Sequence, residues 1–195
     1  MTMPSLISKY QMKTLETAFK KQYAVFQDAI NFISLEDSIT ECSVYYRSGD
    51  IGYSFRRADC QKLREALIER LGLSPIKYNY PYAKKTEILA GGGKTINGAC
   101  ATDDGFIDTT PYITKDGAIV LIHNRGAFMT IDVNGKKGPN KWGYDVFYFT
   151  LTTNNSADRI LLTDELCSII ERGGRFPRTI LQNSDENKDT NWFWK

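Results

Sequence analysis

The sequence holds a single histidine, His123, and four cysteines, Cys42, Cys60, Cys100 and Cys167, none of them paired at C-x-x-C spacing. With no Cys or His near enough to His123 to complete a metal motif, a zinc site is excluded as a working expectation. His123 is also the one conventional general base, and beside Asn124 and Arg125 it reads as a turn residue rather than half of a Ser–His pair. Charge of one sign is equally scarce. A net charge of +2 over 195 residues, with Arg56-Arg57 and Lys84-Lys85 as isolated basic pairs, gives no footprint for nucleic acid. Nowhere do eighteen apolar residues run together, and no secretory signal is visible in the chain as it stands.

What is present is ordinary globular material: 42% hydrophobic and 25% charged residues, enough for one domain with a real core. Eleven Tyr, ten Phe and three Trp supply large contact area at low entropic cost. Four widely scattered cysteines fit one or two disulfides in an oxidising compartment, and fit four buried thiols in a reducing one about as well.

The opening segment carries the clearest periodicity. Met12, Leu15, Phe19, Tyr23, Phe26, Ile30 and Ile33 recur at helical spacing, with Lys9, Lys13, Lys20 and Asn31 opposite them. The spacing predicts one helix over residues 5–33, entered at Pro4-Ser5. Leu6, Ile7 and Tyr10 lie off that stripe, so the N-terminal end is apolar on a different face. Such a helix packs on its own domain at one end and against other molecules at the other. A second helix is expected from Ala58 to Leu71, with Cys60, Leu63, Leu67 and Leu71 inward and Gly72 as the stop. Residues 74–116, rich in Gly, Pro, Tyr and Asn, read as a long loop with short strands.

Beyond it the period changes to two. Ala118–Ile122, Ala127–Val133 and Asp145–Leu151 read as strands, the first two joined as a hairpin by Asn124-Arg125-Gly126. Thr163-Asp164-Glu165 carries the cap chemistry of a short helix stopped at Gly173-Gly174, and the chain ends on the apolar Trp192-Phe193-Trp194. The expected class is α+β: a long N-terminal helix (5–33) on an antiparallel sheet (117–151), with a helical and loop insert (34–116) and a C-terminal segment (152–195).

Two stretches carry a resemblance. The first holds Pro4, Leu6-Ile7, Tyr10-Gln11, Lys13, Lys20-Lys21, Tyr23, Gln27 and Ala29. It resembles the segment that follows the membrane-spanning start of type IV prepilin-like proteins. The second runs Asp132, Asn134-Gly135, Gly138-Pro139-Asn140, Gly143, Asp145 and Phe147. It resembles the inter-strand loop of many pilins and type II secretion pseudopilins. The resemblance covers about the first 33 residues and residues 117–150; the insert between them matches no pattern. It implies a pilin-like fold and a non-enzymatic structural subunit of a type IV pilus or secretion pseudopilus. Its partners would be other pilin or pseudopilin subunits, met through the N-terminal helix, and the inner membrane. The subunit would stand in the periplasm or in a cell-surface filament. Family members carry a leader peptide, a cleavage site and an apolar span ahead of this point. The off-stripe Leu6, Ile7 and Tyr10 read as the end of such a span. The alternative function is a periplasmic or cell-surface binding module that holds a ligand on the aromatic 74–116 region.

The candidate metal site lies in the second stretch. Asp132, Asn134, Asn140 and Asp145 place carboxylate and amide oxygens on a Gly-rich loop, a donor set suited to Ca2+, and some pseudopilins bind calcium in this region. It is not an EF-hand, because Lys136 replaces the third ligand and Gly143 the terminal Glu. The plain alternative is turn chemistry, with Asp132 and Asn134 bonding their own backbone. Gly91-Gly92-Gly93-Lys94-Thr95 imitates a phosphate loop, but Ile88 stands where its first glycine belongs, leaving a mobile glycine loop as the expectation. Asp103, Asp104, Asp108 and Asp116 match no hydrolase spacing and read as solvated loop.

Overall fold

The computed structural model describes residues 3–36, 44–46, 53–55, 60–79, 81–82, 85–95, 110–122, 128–153, 159–163 and 169–183. In chain order the elements are helix α1 (Met3–Glu36), strands β1 (Val44–Tyr46) and β2 (Tyr53–Phe55), helix α2 (Cys60–Leu71), β3 (Ser74–Pro75), α3 (Lys85–Ala90) and β4 (Lys94–Thr95). There follow β5 (Pro111–Ile113), β6 (Ile119–Ile122), β7 (Phe128–Asp132), β8 (Val146–Thr153), β9 (Arg159–Thr163), β10 (Ile169–Ile170) and α4 (Pro177–Leu181). The main sheet has six strands in the order β3-β5-β6-β7-β8-β9, every pair antiparallel. Two short pairs, β1-β2 and β4-β10, lie outside it. The α+β expectation holds, with a long helix and an antiparallel sheet in the anticipated order.

Helix α1 contains the expected 5–33 span without a break. Phe19, Phe26, Ile30 and Ile33 are buried, Leu15 and Tyr23 half-buried, and Lys9, Lys13 and Asn31 exposed, so the periodic stripe faces the sheet. Lys20 is less free than its charge implies, because its ammonium donates to Asn183 Oδ1 beyond α4. Gln22, a polar residue beside the stripe, is also buried; its amide donates to Asp116 Oδ2 at 2.8 Å.

Register explains how one sheet serves two cores. Val120, Ile131 and Phe147 form one cross-strand row and Ile122, Met129 and Phe149 the next, both facing α1. Phe19 meets Phe147 at 4.3 Å between ring centres and lies parallel to Phe149 at 5.9 Å. Leu63 and Leu67 of α2, Leu73, and Ile180 of α4 close the same core. Alternation sends the intervening residues to the other face. There Ile119 and Val146 flank Asp132, while Leu121 and Tyr148 flank Thr130. Tyr82, Ile88, Trp142 and Ile169 pack on that second face, with Ile76 and Tyr78 at its margin.

Three expectations need correction. Residues 74–116 are more than a loop with short strands: besides β3, β4 and β5 they hold helix α3, whose Ile88 is buried on the second face. The Gly91–Gly93 run is not an independent loop. It ends α3, with the Gly92 N–H bonded to Leu89 O at 3.1 Å and the Gly93 N–H to Ile88 O at 2.8 Å. A phosphate loop opens a helix; this one closes a helix and leads into β4. Finally, the helix expected from Thr163 does not run unbroken to Gly173, because Ile169–Ile170 form β10; residues 164–168 lie outside the described residues. Thr163 pairs with Phe149 and Leu162 with Thr150, so β9 runs up to the expected cap residue.

Helix α2 ends as expected, with the Gly72 N–H bonded to Glu69 O at 3.1 Å and the Leu73 N–H to Ile68 O at 2.9 Å. Its start at Ala58 lies outside the described residues, as do the Asn124–Gly126 turn, His123, Asp103, Asp104, Asp108, Cys42, Cys100, Cys167 and the Trp192–Trp194 tail. Of Cys60, Leu6 and Ile7 only the backbone is described.

Candidate cation-binding loop

The loop from Asp132 to Asp145 joins β7 to β8, and the hairpin register fixes its two ends. Asp132 pairs with Val146, and the Val133 N–H bonds Asp145 O at 2.8 Å, so the two aspartates meet across the mouth of the loop. Both are fully buried. Isolated ionised carboxylates in such a place are strongly disfavoured. Their surroundings show how the loop copes.

Asp145 is held by the loop's own backbone. Its Oδ2 accepts the Asn140 N–H at 2.8 Å and its Oδ1 the Lys141 N–H at 2.7 Å. Burial still pushes its pKa upward, with those two amides pulling the other way. Asp132 is less well provided. Its Oδ1 accepts the Asn134 N–H at 3.3 Å, and its Oδ2 accepts the Tyr82 hydroxyl at 2.8 Å. Burial lifts its pKa to about 7, Tyr82's hydrogen bond works against that lift, and the charge of Asp145 adds to it.

The two asparagines complete the group. Asn134 Nδ2 donates to Gly138 O at 3.0 Å, while Asn134 Oδ1 is buried with no hydrogen-bond partner. The side-chain oxygen of Asn140 faces acceptors only, with Asp132 Oδ2 at 3.1 Å and Gly135 O at 3.2 Å. Turned through 180°, the same amide donates its N–H groups to both. Oxygens that share one Ca2+ at 2.3–2.6 Å stand about 3 Å apart, so this spacing fits a hard cation between them. The residues present therefore fit the group. Asp132, Asn140 and the Gly135 carbonyl would hold it, with Asn134 and Asp145 at its margin. Among the described residues no three His, Cys, Asp or Glu side chains gather at one point. The donor set here is two carboxylates with amide and backbone oxygens, the mixture calcium takes.

Backbone shape makes the convergence possible. Asn140 has φ +53, a left-handed conformation that asparagine tolerates better than most residues. Gly135 has φ +65, and a Cβ there would stand 2.2 Å from Gly117 O, so the loop lies directly against the β5–β6 turn. That turn is itself clamped to α1. Asp116 Oδ2 accepts from Lys21 Nζ and Gln22 Nε2, both at 2.8 Å, and its Oδ1 accepts the Thr114 hydroxyl at 2.6 Å. Partial burial would raise the Asp116 pKa, but these donors hold it down at about 2.

All four residues picked out in the sequence thus lie in one small volume. The sequence did not reveal Tyr82, fifty positions upstream, or the Gly135 carbonyl. Strand alternation did hold one clue: Asp132 follows Ile131 and so must point away from α1, toward whatever covers the second face. Comparison with known proteins returns no matching protein-family profile, no similar curated protein and no similar solved structure.

Proposed function

We propose that this chain is the globular part of a pilin-like assembly subunit, a non-enzymatic building block of a type IV pilus or secretion pseudopilus, with a Ca2+-binding loop at 132–145. The observation that carries the reading is the mismatch between helix and core. Helix α1 runs from Met3 to Glu36, about 50 Å at 1.5 Å per residue, yet among the positions whose side chains are described, from Lys9 onward, the first buried one is Phe19. Lys9, Tyr10, Gln11, Lys13 and Thr14 are exposed, Tyr10 to 74%. A half-bare helix projecting from a sheet suits association with copies of itself through head-to-tail contacts. Together with the prepilin-like pattern, this favours subunits packed through the N-terminal helix, with an upstream membrane segment and the domain in the periplasm or on the cell surface. No helix among the described residues is long and apolar enough to cross a membrane.

The rival reading, a module that holds a ligand on the aromatics of 74–116, has less to work with. Tyr82 and Tyr112 from that region are buried in the two cores.

Site-specific photo-crosslinking in the native host tests the assembly reading. A photoreactive residue replacing Tyr10 should give ladders of self-adducts, whereas one replacing the exposed Glu69 on α2 should not. Monomer alone from position 10, or equal ladders from both positions, defeats it. Calcium titration of the purified chain tests the loop separately.

A further inference from the structure

Residues 76–95 reach the loop's carboxylates through Tyr82, and Tyr78 lies under the Lys136 ammonium at 5.6 Å. Ile76, Tyr78, Tyr82 and Ile88 lie against the second face of the sheet beside Trp142 and Val146. Tyr82 is 6% exposed and meets the Trp142 ring edge-on at 6.0 Å. Nothing about this apolar packing requires a hydroxyl. Yet the Tyr82 hydroxyl donates to Asp132 Oδ2, the same oxygen that faces the amide of Asn140.

We propose that Tyr82 is the positioning residue of the cation loop, and that through it cation occupancy and the docking of residues 76–95 are coupled. The inference rests on the cation reading of the loop. Its chemistry follows from how the carboxylate is divided. Oδ1 of Asp132 is engaged by the Asn134 N–H, which leaves Oδ2 as the oxygen aimed into the loop. A carboxylate oxygen has two lone pairs, so Oδ2 accepts from Tyr82 on one and offers the other inward. The phenol thereby fixes the rotation of the carboxylate. An outer partner of this kind is worth about 10–100-fold in metal affinity. The coupling is reciprocal. If docking of 76–95 orients Asp132 for the ion, the ion must in turn favour docking by the same factor. The second face carries Ile88 of α3 and leads into β4, which pairs with β10, so the ion would control how firmly a whole surface segment is held.

The test uses CaCl2 as the probe, with calorimetric titration and amide hydrogen exchange on the full chain. In the wild type, calcium should slow exchange in both 133–145 and 76–95. Tyr82→Phe keeps the ring and its packing. It should bind calcium about tenfold more weakly, keep the protection of 133–145 at saturation, and lose the calcium-dependent part in 76–95. Ile88→Ala loosens the segment and leaves the oxygen-bearing residues of the loop unchanged, and it should weaken calcium binding too. Wild-type affinity in both variants overturns the proposal, as does a wild type in which calcium protects 133–145 and leaves 76–95 unchanged. Should Tyr82→Phe fail to fold, Ile88→Ala alone decides. No calcium uptake by the wild type would defeat the cation reading itself, visible before any variant is made.

Discussion

Replacing Asp132 with Asn should stabilise the metal-free protein at pH 8, the reverse of what deleting a buried, hydrogen-bonded charge ordinarily does. The magnitude follows from the site. Asp132 titrates near 7 in the fold against an ordinary 3.8, a rise of about three pH units. At 1.36 kcal/mol per unit, keeping it ionised costs the fold on the order of 4 kcal/mol. The carboxyl's folded pKa is raised, so its contribution is fully favourable below about pH 4 and is lost as pH climbs through about 7. The uncharged amide of the variant carries no such penalty. Its oxygen can accept from only one of Tyr82 and the Asn134 N–H, a loss of about 1 kcal/mol. The balance at pH 8 is a gain of roughly 2–3 kcal/mol, or a melting temperature higher by roughly 5–10 °C for a domain of this size. At pH 4 the sign should reverse, leaving the variant about 1 kcal/mol less stable. Calcium should close the gap at pH 8: at a hundred times Kd it adds about 2.7 kcal/mol to the wild type, enough to bring the two roughly level, and nothing to the variant. Thermal melts of both proteins at pH 4 and pH 8, with chelator and with calcium, read all these signs. A variant that melts below wild type in chelator at pH 8 refutes the claim that the site is electrostatically strained when metal-free. A variant that keeps the calcium-dependent rise removes Asp132 from the ligand set.

Three further outcomes are expected. Phe26→Ala empties a fully buried position between α1 and the sheet and should cost about 3–5 kcal/mol in urea unfolding; a loss under 1 kcal/mol would mean that the helix is not docked there. Gly135→Ala forces a Cβ against Gly117 O at a left-handed position, so it should shift the loop, lower stability by more than about 1 kcal/mol and abolish the calcium response, whereas retained calcium binding would show that the Gly135 carbonyl is not a ligand. Asp116→Asn breaks a clamp whose carboxylate side chain is 39% exposed, so solvent screening limits its worth to about 0.5 kcal/mol. Because the Asp116 pKa is lowered, that small contribution should be present above about pH 4 and fade as pH falls toward 2, as urea midpoints at pH 2 and pH 6 would reveal.

Which parts of this architecture could be read from the chain follows from the range of the forces involved. Helix α1 was legible because its stripe repeats for about six turns, and because burial of Phe19, Phe26 and Ile30 needs only one flat partner. Strands β6, β7 and β8 were legible because β-branched and aromatic residues cluster in short runs between turn residues. The four oxygen-bearing residues of the loop were legible because they sit within fourteen positions of one another, where spacing constrains geometry. Helix α3 was hidden by its length. Six residues ending in three glycines carry little propensity, and what holds them is Ile88 on the second face and the pairing of β4 with β10, some 75 residues away. The helix expected to reach Gly173 shows the converse: strand pairing of Ile169 and Ile170 with β4 takes two of its positions.

Tyr82 combines both difficulties, since nothing near it in sequence announces an acid. Its role emerges only once register puts Asp132 in an apolar row between Ile119 and Val146. A charge in that row needs a partner from outside the sheet, because both neighbours are hydrocarbon. The covering segment must then bring at least one polar tip among its apolar side chains. Of the residues from 76–95 packed on the second face, Ile76 and Ile88 have none, and Tyr82 is the one whose hydroxyl reaches Asp132. The insert is therefore more than a cover for hydrophobic surface: it supplies the donor that lets an acid stand inside the fold.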